Sequence, residues 1–450
     1  MKNYDVVILG GGTAGALAAV SAARGGAKTL VVERKSHLGG TAVYGIPFLG
    51  LVSGCGEPVG SPMTLELLDR LRREGFAFGY ARGAHWNTPE RPDSYEFSLF
   101  PFDPEGLKYV LQEMVCEVGA EVLYGAMLSG ARMEGGCVRE VDVCHPSGRE
   151  TLAARIFLDC SGDANLTFQA GGRFLPKRQA QNSSILFHLG GVDLEAFRRE
   201  LDRGGRIKGS GTWHTRVLYA EKTPGAGPGL VHMAGHLQPF DDGQLVTFTA
   251  VSLREGEVYL NATRVAGVDG TDTWQVSLAE LEERRNVMEL CRALKRNMPG
   301  FQNAALLQTS PLGIRESRNI EGDYVLRGED VLGGAAFPDG VARGAYPSDV
   351  HDPMGGPTQF RFIRGGGSYE IPFRSLLPVG LDNVIVAGRC LSADQVAHGT
   401  ARIMGCCLSQ GEAAGTAAAC CIRERKQPRQ LDGAALKKML LGESAGGCSI

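Results

Sequence analysis

The 450-residue chain is 43% apolar, enough to bury a large core and, at roughly 100–200 residues per domain, to build two or three domains. Its 47 basic and 50 acidic residues nearly cancel and form no long run of one sign, which excludes the basic footprint of a nucleic-acid binder or of a protein docked on anionic lipid. No stretch reaches the ~18 continuous apolar residues of a membrane span, and Met1 leads straight into a strand with no room for a secretory leader, so the cytoplasm is the expected location.

In chain order, the first segment is an apolar strand, Tyr4 to Leu9, feeding Gly10-Gly11-Gly12-Thr13-Ala14-Gly15 and then a helix of small residues from Ala16 to Ala23. Strand, Gly-x-Gly-x-x-Gly turn and helix in this order predict a dinucleotide site. Gly10 permits the tight turn, Gly12 lets a pyrophosphate approach the backbone, and Gly15 lets helix and strand pack closely. The helix N-terminus then faces the phosphates, with Thr13 and Ala14 in its first turn. A second strand, Thr29 to Val32, ends in Glu33 and Arg34, about where a carboxylate meets the adenosine ribose hydroxyls. Soon after come His37 and a second glycine pair, Leu38-Gly39-Gly40-Thr41.

Asp103 and Pro104 predict the N-cap and first position of a helix running to about Gly119. Three strands are expected next, at Glu121 to Ala126, Cys137 to Cys144 and Thr151 to Leu158, the last leading into Cys160-Ser161-Gly162-Asp163. Further on, strand-like runs at Ser184 to Leu189 and Leu245 to Ala250, a hairpin turning at Arg254-Glu255-Gly256 and a charged helix from Leu278 to Arg296 predict a separate mixed sheet. The glycines at 225–229 follow no strand and are broken by Pro228, so no second dinucleotide site is expected there. Near the C-terminus, the strand Asn383 to Ala387 meets Gly388-Arg389-Cys390, then Ala397-His398-Gly399-Thr400-Ala401-Arg402-Ile403 opens a long helix of small residues. The free amides of such a helix start suit a site where negative charge accumulates. The twelve cysteines include the pairs Cys406-Cys407 and Cys420-Cys421 but no Cys-x-x-Cys, so no metal site is expected and most read as core fillers.

These motifs, together with Gly313-Ile314-Arg315-Glu316-Ser317-Arg318 and Tyr369-Glu370-Ile371-Pro372-Phe373, resemble a widespread branch of bacterial FAD-dependent oxidoreductases in the glutathione-reductase-like superfamily. The resemblance implies an α/β fold: a Rossmann-type FAD-binding domain of parallel sheet plus β-meander, from residues 1–170 and 376–430, with an inserted mixed α+β substrate domain at 171–375 and a C-terminal tail at 431–450. It implies non-covalent FAD, with backbone at Gly39, Gly40 and Thr41 beside the pyrophosphate, at Met127 and Leu128 beside the adenine, and at Gly162, Asp163, Gly388, Arg389, Gly399, Arg402 and Ile403 beside the rest of the cofactor. Arg389 departs from the pattern, since many superfamily members carry aspartate after that glycine.

The expected activity is hydride transfer between FAD and a small organic substrate, at an alcohol, amine or CH–CH group, with an external electron donor or acceptor. Flavin hydroxylation is the alternative enzyme reading, and a flavin-bearing RNA-modifying or scaffold protein the alternative class. Beyond the substrate, a second copy in a homo-oligomer is a partner to expect; nucleic acid and membrane are not. Loop histidines next to proline and glycine make His351 the preferred base and His398 the second, with Tyr346 nearby. Of Arg315 and Arg318, three apart with Glu316 between them, one guanidinium, Arg315, is expected to meet a substrate carboxylate or carbonyl while the other pairs with an acid, the alternative being a structural Arg-Glu network joining the two domains.

Overall fold

The computed structural model describes residues 2–84, 97–203, 216–219, 230–237, 239–240, 246–352 and 358–441; the glycines at 225–229 lie outside them. The apolar runs form strands β1 (Lys2–Leu9), β2 (Thr29–Glu33), β3 (Glu121–Tyr124), β4 (Met127–Glu134), β5 (Cys137–His145), β6 (Gly148–Asp159) and β7 (Val384–Val386). They make one sheet ordered β3-β2-β1-β6-β5-β4, with β7 on β6. In its parallel part, β1 pairs with β2 and β6, β2 with β3, and β6 with β7. From β1 the chain winds outward through β2 to β3 on one side and through β6 to β7 on the other. That change of direction between β1 and β6 creates a crevice at the carboxyl ends of the strands, where open α/β sheets take their ligands.

By the resemblance, the three strands expected between Glu121 and Leu158 form the β-meander, and the first of them needs correction. Glu121 to Ala126 is not a meander strand: β3 ends at Tyr124 and runs parallel to β2, with Leu30 opposite Glu121. The meander is β4, β5 and the first half of β6, all antiparallel. β6 thus serves both parts, pairing antiparallel with β5 over Gly148 to Ala153 and parallel with β7 over Phe157 to Asp159.

Helices α1 (Thr13–Arg24), α2 (Pro104–Glu117), α3 (Thr273–Asn297), α4 (Gln395–Ala401), α5 (Met404–Glu424) and α6 (Gly433–Leu441) complete the elements that matter for the site. α2 begins as its sequence dictates, with the Asp103 carboxylate accepting from the amides of Glu105 and Gly106. α1 and α5 lie side by side because their facing residues are small. A Cβ at Gly411 would sit 2.1 Å from the Ala14 carbonyl oxygen, and one at Gly415 2.3 Å from that of Ala18. Residue 14 meets 411 and residue 18 meets 415, so the two helices run parallel. α5 starts seven residues before position 411 while α1 starts one before position 14, an offset of six residues that carries the α5 N-terminus about 9 Å past that of α1 at 1.5 Å per residue.

The second sheet, of strands at Leu186–Gly190, Arg216–Tyr219, Leu230–Leu237, Val246–Val251, Glu257–Asn261 and Ala305–Thr309, is antiparallel throughout. α3 packs against it, burying Val287, Leu290 and Leu294 with Phe187, Phe248 and Phe301 in a core of their own. Not all of 171–375 goes with that sheet. Leu326, Val331, Val341, Tyr369, Ile371 and Phe373 bury their side chains in the same core as α1 and α5. The tail also contributes, since Leu436 and Leu440 of α6 join that core.

Asn383 ties the two ends of the chain together. Its Oδ1 accepts from the Val138 amide and its Nδ2 donates to the carbonyls of Val138 and Arg155, all within 3.0 Å. Asn383→Ala is expected to strand a buried amide and carbonyl and to lower stability by about 1–3 kcal/mol, read as an earlier midpoint in denaturant. Asn383→Asp, which turns a buried carboxylate oxygen toward the two carbonyls, should cost at least as much.

Candidate functional site

The glycine turn after β1 is locked in place by its neighbours. Gly10 has φ +101°, outside the range of ordinary side chains, and its amide donates to Val32 in β2 at 2.8 Å. Glu33, buried at the end of β2, accepts from the Gly11 amide at 2.6 Å and from the Lys35 amide at 2.8 Å, so its carboxylate shapes the turn from behind. The second glycine pair lies against the first: the Gly39 amide donates to the Gly11 carbonyl at 2.9 Å, and Gly12 bridges to Gly39. A Cβ at Gly12 would meet only Gly40 Cα, at 3.9 Å. Open space therefore stands before that turn.

β6 delivers the next piece. Asp159 is fully buried at its end and accepts from the amide and hydroxyl of Thr167 and from the Ser161 hydroxyl, all within 2.9 Å; burial raises its pKa against those donors. These bonds fold Cys160 to Asp163 into a turn in which Gly162 takes φ +81°. Asp163 then pairs with Arg389, 2.5 Å from Asp163 Oδ1, and accepts from the Ser317 hydroxyl at 2.7 Å. The departure at Arg389 thus has a physical sense: the acid is supplied across the crevice by Asp163, and the charges are exchanged between the two strand ends. Gly388, at φ +102°, donates its amide to Gln410 of α5 and brings β7 against Ala14.

The expected single helix after His398 is two helices, α4 and α5, separated at Arg402-Ile403. Neither α1, capped at Gly12, nor α5, capped at Ile403, has a side chain bonded to its first-turn amides. Two long helices therefore direct uncapped N-termini, about 9 Å apart along their common direction, to the crevice. A dinucleotide places a pyrophosphate and an electron-poor ring at about such a separation, so the residues fit FAD. Met127, at the start of β4, is exposed and Leu128 half-buried next to Ala126, whose amide donates to the Glu33 carbonyl. Arg34 and Thr41 are exposed on either side of Glu33 and Gly40. His37 is half-buried, with Nδ1 3.0 Å from the Leu38 carbonyl.

Beside the α5 N-terminus is a charged cluster assembled from distant segments. Gly399 lets the strand at Ser348–Val350 lie on α4, since a Cβ there would come within 2.7 Å of Ser348 Oγ. Ser348 donates to the Val396 carbonyl and Thr400 to that of Tyr346, both at 2.6 Å. Asp349 and His351 at the end of this strand then face Arg402, whose Nη2 donates to the Asp349 carbonyl at 3.0 Å. Arg315 arrives from the other side, held by the Asn182 carbonyl and by Ser184 Oγ. His351 is anchored through its amide to Gln181 Oε1 at 3.0 Å.

His351 Nε2 lies 3.3 Å from Asp349 Oδ1 and Nδ1 lies 3.1 Å from Thr358 Oγ1. Burial and the nearby Arg315 charge push the imidazole down to about 4, outweighing Asp349, so it is neutral at physiological pH. Burial would lift Asp349, yet His351, Arg402 and Arg315 hold it down to about 2. Burial and the neighbouring guanidiniums lower Arg315 to about 9, still charged.

The remaining sequence-selected residues are elsewhere. His398 is fully buried in α4 with Nε2 2.8 Å from the Arg389 carbonyl, and burial drives its pKa well down. Tyr346 is buried under Thr400. Arg318 turns away from Arg315 to the Asp163 carbonyl and Asn165, stacked 4.2 Å from the Phe168 ring centre. Glu316 pairs with Arg178 at 3.3 Å instead of with either arginine. Cys390 is fully buried and its thiol pushed up by burial, which leaves it without thiolate character. Sequence offered Asp349 or Asp352 only as an anchor for His351 and did not single out Thr358, and Arg264, described below, carried no signal at all. Only the turn residues flanking His351 hinted at them.

Among the described residues no helix is long and apolar enough to cross a membrane. Residues of this chain are 63% identical over 42 positions to dihydrolipoyl dehydrogenase of Bacillus subtilis (strain 168), 9% of either chain. They are 25% identical over 225 positions to digeranylgeranylglycerophospholipid reductase of Methanoculleus marisnigri, 47% of this chain and 52% of that one. The chain thus spans about half, or less, of the curated relatives it matches. Among solved structures, a geranylgeranyl bacteriochlorophyll reductase-like protein of Thermoplasma acidophilum aligns over 99% of this chain and 92% of its own, with 13% identity and a TM-score of 0.49. A family model described as FAD dependent oxidoreductase matches residues 5–440. The chain therefore belongs to the FAD dependent oxidoreductase family, and FAD is its cofactor.

Proposed function

We propose that the enzyme transfers a hydride between FAD and a small organic substrate bound beside His351, and that within its family it falls in the glutathione-reductase-like superfamily. The observation that carries the reading is a neutral, buried imidazole held between Asp349 and Thr358 next to the α5 N-terminus. Bound there, FAD supplies the hydride acceptor or donor.

The protein's part is to move a proton and fix the substrate. With the Nε2 proton turned toward Asp349, 3.3 Å away, His351 Nδ1 is left as an acceptor, and the Thr358 hydroxyl is the group that meets it. A substrate hydroxyl or amine that hydrogen-bonds to Thr358 or replaces it gives its proton to Nδ1 as its carbon gives up the hydride. The imidazolium so formed is stabilised by Asp349, while Arg315 fixes the polar end of the substrate. The archaeal relative is named a reductase, so the reverse direction deserves equal testing.

The purified protein should be yellow and release FAD, not FMN, on denaturation. Anaerobic mixing with a panel of small alcohols, amines and hydroxy acids, and of the reduced protein with unsaturated counterparts, should bleach or restore the flavin band with at least one pair. Rapid bleaching by NADPH, accelerated by an aromatic substrate and followed by hydroxylated product in air, would instead make it a hydroxylase.

A further inference from the structure

We infer that the substrate carries a carboxylate and that Arg264, working with Arg315, is the residue that takes it; this rests on the reading that a substrate binds beside His351. Arg264 follows the strand at Glu257–Asn261, on a backbone pinned on both sides. Thr263 exchanges hydrogen bonds with the backbone of Ile185, and Val265 pairs with Ser183 through two bonds of 2.9 Å. The side chain it carries is solvent-accessible and, among the described residues, has no hydrogen-bond or ion-pair partner. It is also crowded by protein on most sides, enough that burial lowers its pKa while Asp349 partly restores it. Because Val265 pairs with Ser183, Arg264 is carried beside Ser184, whose hydroxyl oxygen accepts from Arg315, and the charges of Arg315 and Arg264 act on one another there.

Charge balance then points to the ligand. Arg264, Arg315 and Arg402 contribute three positive charges, Asp349 one negative charge and the neutral His351 none, which leaves two positive charges in excess. Neighbouring arginines are answered by protein acids: Arg178 by Glu316 and Arg389 by Asp163. Arg402 is committed to the Asp349 carbonyl and Gln181. Arg315 has one end on Asn182 and Ser184 and depresses no acid but Asp349. Arg264 is the guanidinium left over, and like-charged groups crowded in a partly dry site gain most from an anion that bonds to both. A planar fork suits a carboxylate, which it can hold through two parallel bonds.

The test uses the FAD-loaded protein and unreactive probes: acetate, benzoate and succinate, their primary amides, and inorganic phosphate. Binding is read from perturbation of the flavin absorption band and from the thermal midpoint. At least one carboxylate should act where its amide does not, and Arg264→Gln should weaken it at least tenfold with FAD content unchanged; Arg264→Lys should recover part of that loss. Equal binding of acids and amides, no effect of any carboxylate, tighter binding of phosphate, or an Arg264→Gln protein that has lost its FAD would each overturn the inference. Failure of the hydride reading looks different: carboxylates bind through Arg264, yet no member of the substrate panel reduces the flavin.

Discussion

Gly12→Ala is expected to leave the fold intact and to cost the protein most of its affinity for FAD. Gly12 has φ −66°, a value any residue adopts, and a Cβ there meets nothing nearer than Gly40 Cα at 3.9 Å. The substitution is therefore compatible with the protein alone, at the small cost of alanine in place of glycine at the α1 N-cap. The added methyl instead enters the space where a pyrophosphate must approach the α1 amides. Overpacking of that kind costs about 1–3 kcal/mol, or roughly 5- to 150-fold in dissociation constant. Gly15→Ala makes the contrast. Its Cβ would fall 1.8 Å from the Gly10 carbonyl oxygen, a backbone atom held by the β1–β2 pairing, so both the turn and the cofactor should be lost. Fluorescence titration of the two apo-proteins with FAD, beside their melting curves, separates the effects. A Gly12→Ala protein that binds FAD as the parent does would remove the pyrophosphate from this turn.

The same contrast explains which parts of the molecule were legible in the sequence. The cofactor turn could be read because its demands are local: a glycine at φ +101°, a second where a ligand approaches and an acid one strand later all lie within about thirty residues. The error in the meander was also local. Only Gly125 and Ala126 separate β3 from β4, and reading Glu121 to Ala126 as the strand before β5 put a parallel strand in the place of the antiparallel β4. The signal that would have separated them was Gly135-Gly136, both at positive φ between β4 and β5, a glycine pair that marks a tight hairpin. The split between α4 and α5 was hidden because no proline marks it. Arg402 instead leaves the helix to reach the Asp349 carbonyl, a partner 53 residues away. The charged cluster was illegible for that reason in general. Arg264, Arg315, His351 and Arg402 come from four segments, and nothing within any one of them records that Arg264 lacks an acid while Arg318, three residues from Arg315, has turned to Asn165.

Removal of the imidazole in His351→Ala should slow flavin reduction by about 10²- to 10⁴-fold, the usual worth of a positioned general base, while the FAD spectrum stays as it was. The pH dependence gives the second mark. Burial and Arg315 hold His351 down to about 4, so its basic form is complete by about pH 5. Reduction should be flat from there through neutrality and fall as pH drops through 4. An unperturbed histidine would put that limb near 6.5. The same shift bears on stability: the folded protein resists protonating His351 while the unfolded chain protonates near 6.5, so stability declines as pH falls from about 6.5 to 4 and by no more below that. Asp349→Asn should keep the imidazole in place but remove the charge that stabilises its protonated form, slowing reduction without raising the substrate dissociation constant. Thr358→Val tests the other end. If the hydroxyl only occupies Nδ1 until substrate arrives, reduction should be unchanged or faster; if it relays the proton, the loss should approach that of His351→Ala. Arg315→Ala should act chiefly on substrate binding, since it removes a contact shared by ground and transition states. Stopped-flow reduction of each variant across pH 4–9 reads all four effects, and unaltered kinetics in His351→Ala would move the base to another residue.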